Sequence, residues 1–309
     1  MIILLNKHSN NGQGLKKWEH SRSELEKRYL GHDYRLISDG KDLGGYLEQQ
    51  VDRGERIFVA AGGDGTVNFL VNHIMQMKPE DYQQLILGAI GLGSSNDFHK
   101  PFYKTRRVNH SVFFKLDCSH ALQHNVGQVD FEDETGQRQR KFFIINCSLG
   151  IIAQANYRFN VGDRIINWLK PRWVLGTIWY VALKTVLAAS NIPAQLTVED
   201  KSLSTELTCL SILINPHFSG NLCYDLPVSG QTPYFGIALC EQMGALERMR
   251  TLFSLARSKF LGLPKTKTWQ ASRMEINPAS PTPLELDGEV YLARNIKIRL
   301  LRGALRVCQ

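Results

Sequence analysis

The chain has no run of about 20 uninterrupted apolar residues, so no helix of it is expected to span a bilayer. It has no Gly-x-x-x-x-Gly-Lys-Ser/Thr and no Gly-x-Gly-x-x-Gly, which excludes an ordinary P-loop and a Rossmann fingerprint. Its six cysteines, at 118, 147, 209, 223, 240 and 308, stand apart without a Cys-x-x-Cys pair, so neither a zinc site nor a secreted disulfide framework is expected. Internal repeats and low-complexity segments are missing too. The opening Met-Ile-Ile-Leu-Leu-Asn-Lys is an apolar strand too short for a signal peptide, with its charge on the wrong side. These absences point to the cytosol.

What is present suits an enzyme of two domains, since 309 residues with 43% hydrophobic content can build two cores. The net charge of +8 biases the surface toward anions: ATP, acidic lipid headgroups or nucleic acid. The cations fall in small groups, Lys104-Arg106-Arg107, Arg138-Arg140-Lys141 and Lys170-Arg172, with no aromatic-interleaved stripe. Nucleic acid is therefore the weakest of the three and is not expected as a partner.

The most informative segment is Ile57-Phe58-Val59-Ala60-Ala61-Gly62-Gly63-Asp64-Gly65-Thr66-Val67-Asn68. A buried strand runs into three glycines around one aspartate, and Val67, Leu70, Val71, Ile74 and Met75 then mark one face of a helix. Such a turn lets backbone N–H groups approach a phosphate while the helix N-terminus adds partial positive charge. Thr66 suits the N-cap or first turn. A carboxylate here repels phosphate unless a cation intervenes, so Asp64 points to a nucleotide with Mg²⁺. Leu85–Ile90 reads as a second buried strand, followed by Gly91-Leu92-Gly93-Ser94-Ser95-Asn96-Asp97-Phe98. Two such loops at the carboxyl ends of neighbouring parallel strands form a ligand crevice.

Strands alternate with helical patterns up to about residue 125, and from there many short strands separated by polar turns predict a β-rich second domain. The expected boundaries are 1–125 for an α/β ATP-binding domain, joined by a returning segment at about 295–309, and 126–294 for a β-sandwich substrate domain. Residues 164–187 hold three tryptophans in a long apolar run, which fits either core packing or a membrane interface.

The two loops, together with Asn6-Lys7-His8-Ser9, Gly12 and Gly14 before them and Asp287-Gly288-Glu289 near the C-terminus, resemble the diacylglycerol kinase catalytic-domain family. That family includes bacterial lipid kinases and the sphingosine and ceramide kinases. The resemblance implies a nucleotide-binding α/β domain, similar in its Gly-Gly-Asp-Gly element to NAD kinases and phosphofructokinases, followed by a β-sandwich. It also implies ATP and Mg²⁺ as cofactors and a lipid hydroxyl as acceptor, the protein working peripherally at the inner membrane face. Glu289 is the expected base, with Asp64 and Asp287 catalytic and metal-holding. Asn6, Ser9, Gly12, Gly62, Gly63, Gly65, Thr66, Asn68, Gly93, Ser94 and Asn96 are the expected nucleotide contacts. Taken alone, Asp-Gly equally signals a hairpin turn.

The chain departs from the family pattern in three places. Asn68 is followed by Phe69-Leu70 where Glu-Val is usual, and Gly91 stands where proline is usual. The magnesium-associated Asp-Gly-x-Leu-Asp-Val is absent, leaving Asp225 as the substitute carboxylate. A nucleotide- or lipid-binding protein with weak catalysis is the alternative reading, and a soluble acceptor is a third. A homodimer is allowed.

Overall fold

The computed structural model describes residues 1–10, 12–30, 34–37, 43–109, 111–161, 164–169 and 172–309. They form two compact units, one of residues 1–126 with 302–309, the other of residues 127–301.

The first unit runs β1 (Ile2–Leu5), α1 (Gln13–Leu25), β2 (Arg35–Ile37), α2 (Leu43–Asp52), β3 (Ile57–Gly62), α3 (Asp64–Gln76), a short α4 (Pro79–Tyr82), β4 (Ile86–Gly91), β5 (Arg106–Val108) and β6 (Val112–Lys115). Four strands pair in parallel in the order β4-β3-β1-β2. This is the arrangement that continuous apolar strands joined by helices require, because both faces are covered. The same edge of β4 carries antiparallel β6, with Lys115 opposite Ala89, and the parallel C-terminal residues Arg306 and Val307. On α1, Trp18 and Leu25 pack with Ile3, Leu5, Val59 and Ala61 of the sheet. On α3, the residues at helical spacing, Val67, Leu70, Val71 and Ile74, are all buried.

One expectation is corrected in this unit. Cys118 and Cys308 form a disulfide with their Cα atoms 4.4 Å apart. Reciprocal backbone bonds between Asp117 and Gln309 (3.0 and 3.2 Å) hold the two segments side by side. The sequence separation of 190 residues hides this proximity from any spacing rule.

The second unit continues through β7 (Leu122–Glu132), β8 (Arg138–Phe143), β9 (Asn146–Gly150), α5 (Ile151–Val161), α6 (Arg164–Leu169), α7 (Val174–Ala188), β10 (Ile192–Val198), β11 (Lys201–Leu213), β12 (His217–Phe218), β13 (Leu222–Cys223), β14 (Phe235–Glu241), α8 (Ala245–Leu255), β15 (Thr266–Ala271), β16 (Arg273–Pro278), β17 (Thr282–Leu286) and β18 (Glu289–Val307). Strands β7 and β18 cross the division between the units. The long β11 pairs β10 through its first half and β9 through its second. Since β10 pairs β16, β9 pairs β17, and β16 and β17 both pair β18, the ladder returns on itself. The expected β-rich unit is there, its strands wrapped around a core that includes Phe143, Leu196, Leu210, Phe235 and Ile276.

Two runs that read in the sequence as single strands, Lys141–Cys147 and Thr268–Ile276, are split, each by a carboxylate that captures backbone N–H groups. Lys141–Cys147 breaks at Ile144-Ile145, which donate to Asp287. Thr268–Ile276 breaks at Ser272, whose N–H donates to Glu199 (2.6 Å). Helix α8 was not anticipated, although Gly244 and Glu247 form a capping pair in which the Gly244 N–H donates to the Glu247 carboxylate (2.8 Å). Lys170 and Pro171, read as a basic break in the tryptophan-rich run, lie outside the described residues.

Candidate functional site

Three loops of the first unit converge. The N–H of Asn6 donates to Ala61 O (2.9 Å), and the N–H of Leu92 to Gly62 O (2.8 Å), so the ends of β1, β3 and β4 are in step. The contact between the two glycine loops leaves no room for side chains. A Cβ on Gly93 would stand 2.5 Å from Gly63 Cα, and one on Gly62 would stand 2.2 Å from Thr66 Oγ1. Asn6 Nδ2 donates to that same Thr66 Oγ1 (3.1 Å), linking the first loop to the second.

Gly63 is the N-cap of α3, so Thr66 sits within the first turn and not at the cap. The first N–H groups of a helix have no intrahelical partner, and here they open beside three glycines. Asp64 is the first residue of the helix, and its Oδ1 accepts the Phe98 N–H (3.0 Å), which fastens the second glycine loop to the first. Asn96 is buried with φ of 50°; its Oδ1 accepts the Gly93 N–H (2.9 Å) and its amide reaches back to the Gly93 carbonyl (3.2 Å). It folds the loop from within. Asn68 is also buried and accepts from Asn72 (3.1 Å), while Ser94 and Gly65 are exposed.

The loop after β1 is closed by Gly12 and Gly14 N–H groups donating to Ser9 O (3.2 and 3.0 Å), with Gly12 at φ of 81°. Ser9 Oγ is enclosed and meets no hydrogen-bond partner among the described residues. An orphaned buried hydroxyl beside two glycine loops is an observation that favours a polar ligand.

Lys17 was missed in the sequence. From α1 its Nζ donates to Gly93 O (3.1 Å), no carboxylate among the described residues pairs with it, and half-burial holds its pKa below the usual lysine value. A lysine on a helix that also carries Lys16 gives no signal of its own, because only the fold shows which of the two turns toward the loop.

In the second unit, Asp287-Gly288 is the two-residue turn joining β17 to β18, with Leu286 paired to Glu289 and both turn residues at positive φ (49° and 99°). That is the type I′ geometry Asp-Gly favours. The Asp287 carboxylate is buried and accepts three backbone N–H groups, from Ile144 (2.8 Å), Ile145 (2.9 Å) and Asn146 (2.9 Å). Beside it lies a second buried carboxylate, Glu285, which accepts from Ser148 Oγ and the Gly288 N–H. Burial, followed by the fields of Glu285 and Asp287, pushes the Cys147 thiol well above its usual pKa. Glu289 is exposed, one residue past the turn, in no ion pair among the described residues.

Asp225, the substitute metal ligand, clamps a loop by accepting the Phe260 and Leu261 N–H groups (2.8 and 2.9 Å). Among the described residues no group of three or more His, Cys, Asp or Glu could hold a metal ion by itself. The carboxylates of Asp287 and Asp225, both expected to hold a metal, are each engaged by backbone N–H groups. A hollow of about 490 Å³ on the second unit, lined by Asp130, Glu132, Arg138, Arg140 and Lys297 among others, contains none of the expected site residues.

Residues 1–131 match the family model of the diacylglycerol kinase catalytic domain. A Staphylococcus aureus (strain MSSA476) protein bearing the name "Putative lipid kinase SAS0691" is 27% identical over 263 residues, covering 81% of this chain and 76% of its own. A counterpart of the same name class from strain N315 aligns equally well, at 27% over 263 residues. Among solved structures, a diacylglycerol kinase from Bacillus anthracis strain Sterne superposes with a TM-score of 0.70 at 15% identity, covering 99% of this chain and 96% of that one. A second structure from that strain reaches 0.72 at 16% identity with the same coverage. At such identities the structural likeness speaks for the fold.

Proposed function

We propose, for a chain whose residues 1–131 match the family model of the diacylglycerol kinase catalytic domain, that it is an ATP- and Mg²⁺-dependent lipid kinase acting on a lipid hydroxyl at the inner membrane face. The observation that carries the nucleotide part is the side-chain-free contact between Gly63 and Gly93 beside the N-terminus of α3.

Phosphoryl transfer requires neutralised phosphate charge, an aligned acceptor and a base for its proton. The backbone N–H groups around Gly62, Gly63, Gly65 and Gly93 and the side chains of Asn6, Ser9, Thr66 and Lys17 bind the nucleotide, Ser94 lying at the loop's exposed rim. Gly12, Asn68 and Asn96 shape the loops behind them. Asp64 fits Mg²⁺, which takes one or two carboxylates and keeps several waters, and the ion supplies charge neutralisation on the phosphates. Asp287 fits as the residue that orients the turn, with Glu289 as the base that takes the hydroxyl proton. An exposed carboxylate in no ion pair among the described residues keeps the acceptor capacity this work needs.

The test is Mg²⁺-dependent transfer of labelled γ-phosphate to a panel of lipids in mixed micelles, comparing the native protein with Asp64→Ala and Glu289→Gln. Labelled lipid lost in both variants supports the reading. ATP binding without transfer in the native protein overturns it in favour of a nucleotide- or lipid-binding protein with little catalysis, a reading motivated by the absent Asp-Gly-x-Leu-Asp-Val segment.

A further inference from the structure

The second unit carries an apolar surface that its own packing leaves uncovered. On α6, Ile165 and Trp168 are 50% and 59% exposed, and Trp173 just before α7 is 65% exposed. On α7, Leu187 is exposed, and on α8 so are Leu246 and Phe253. These helices form one group. The buried Arg248 of α8 donates to the Ala189 carbonyl at the end of α7 and to Asn191 Oδ1 (2.9 Å). Trp179 of α7 stacks on Phe253 of α8 with ring centroids 6.2 Å apart.

Cations lie among the exposed apolar residues. The Arg172 guanidinium lies over the Trp168 ring (4.7 Å) and Lys184 Nζ over the Tyr180 ring (5.8 Å). Leu246, Arg250 and Phe253 are spaced by four and three residues, one stripe of α8, and all three are exposed. The sequence is lopsided as well: residues 151–190 contain five cations (Arg158, Arg164, Lys170, Arg172, Lys184) and one carboxylate, Asp163. Residues 244–265 contain five more cations and one carboxylate, Glu247, which is held by Lys265 (2.8 Å) and the α8 cap.

Exposed tryptophan and leucine between cations suit an anionic bilayer, where rings enter the headgroup level and the cations meet lipid phosphates. A second copy of the chain fits poorly, because a two-fold contact would set this positive face against itself. We infer that the face built by α6, α7 and α8 is a docking surface for an anionic lipid bilayer. This rests on the lipid-kinase reading and names where on the second unit the membrane is met.

Sedimentation with vesicles of phosphatidylcholine alone and of phosphatidylcholine with phosphatidylglycerol tests it on the full chain. The native protein is expected to bind the anionic vesicles at least tenfold more tightly than the neutral ones. The double variant Trp168→Ser with Leu246→Ser, and separately Arg172→Gln with Arg250→Gln, are each expected to weaken that binding at least tenfold. Circular dichroism and ATP affinity should be unchanged, showing intact folding.

No binding by the native protein, or unchanged binding by both variants, overturns the docking surface. So does a dimer in the ultracentrifuge that Trp168→Ser breaks. Transfer to lipid in detergent micelles is read separately: if it is absent while vesicle binding behaves as stated, the kinase reading falls and the docking surface stands. The reverse result removes the surface alone.

Discussion

Asp64 and Asp287 each stand beside a glycine at the end of a strand, yet they occupy opposite environments. Asp64 begins a helix of 13 residues, accepts the Phe98 N–H, and sits among loops whose glycines approach within contact distance. Asp287 turns a hairpin and distributes three backbone N–H groups over its two oxygens. The first arrangement keeps a carboxylate at a rim where a cation can reach it. The second uses the carboxylate to fix a strand break and leaves the neighbouring Glu289 exposed. The same Asp-Gly dipeptide thus ties a helix N-terminus to a neighbouring loop in one unit and fixes a hairpin and a strand break in the other, and the partners of the carboxylate tell them apart.

The largest expected effect separates Glu289 from the aspartate next to it. Glu289→Gln should lower kcat by about 10²- to 10⁴-fold, the usual contribution of a general base, while the melting temperature stays put, because the side chain is exposed. A comparable fall in thermal stability would mean that the residue holds the turn instead. Asp287→Ala should do the opposite. Stranding three buried N–H donors costs on the order of 3–5 kcal/mol, and calorimetry should show the second unit melting roughly 10 °C lower. If its stability is unchanged while transfer disappears, the contrast drawn above between the two aspartates is wrong.

A smaller effect concerns the cation of the first unit. Lys17→Met keeps the aliphatic stem and should weaken ATP binding about tenfold, or ~1.4 kcal/mol, with adenosine binding unaffected. Titration calorimetry with ATP, ADP and adenosine checks it. Equal losses for all three ligands would show that Lys17 braces the Gly93 carbonyl and touches no phosphate.

How much of this was readable beforehand depends on how local the physical demand is. The glycine loops were legible, because backbone approach at Gly93, where a Cβ would stand 2.5 Å from Gly63 Cα, admits no side chain and the buried strands before the loops are uninterrupted. The Asp-Gly turn was legible as a hairpin because both of its residues must adopt positive φ. Lys17, by contrast, meets Gly93 across 76 residues, and Cys118 meets Cys308 across 190. No periodicity reports such pairings. Glu285 was hidden differently: within Leu284-Glu285-Leu286 it reads as the solvent-facing member of an alternating strand, whereas β17 is paired on both sides and the residue is buried against Ser148. Helix α8 was overlooked because its exposed stripe contains Leu246 and Phe253, which blurs the amphipathic signal at the surface it presents.

The last and smallest effect sharpens the comparison through pH, since the first unit buries imidazoles where the second buries carboxylates. Burial, reinforced by the Lys115 ammonium, depresses His99 from 6.5 to about 3, and burial depresses His124 from 6.5 to about 4. Both are neutral when folded at pH 5, whereas in the unfolded chain they bind protons below about 6.5. The unfolded state therefore takes up more protons as pH falls from about 6.5 toward 4, and stability must decrease through that window. Each imidazole contributes a slope of up to ~1.4 kcal/mol per pH unit in that window. His99→Phe removes that titration, so thermal unfolding of the first unit followed from pH 7 to pH 4.5 should lose about half of its pH dependence. An unchanged slope would show that the His99 imidazole does not set the acid sensitivity of this unit.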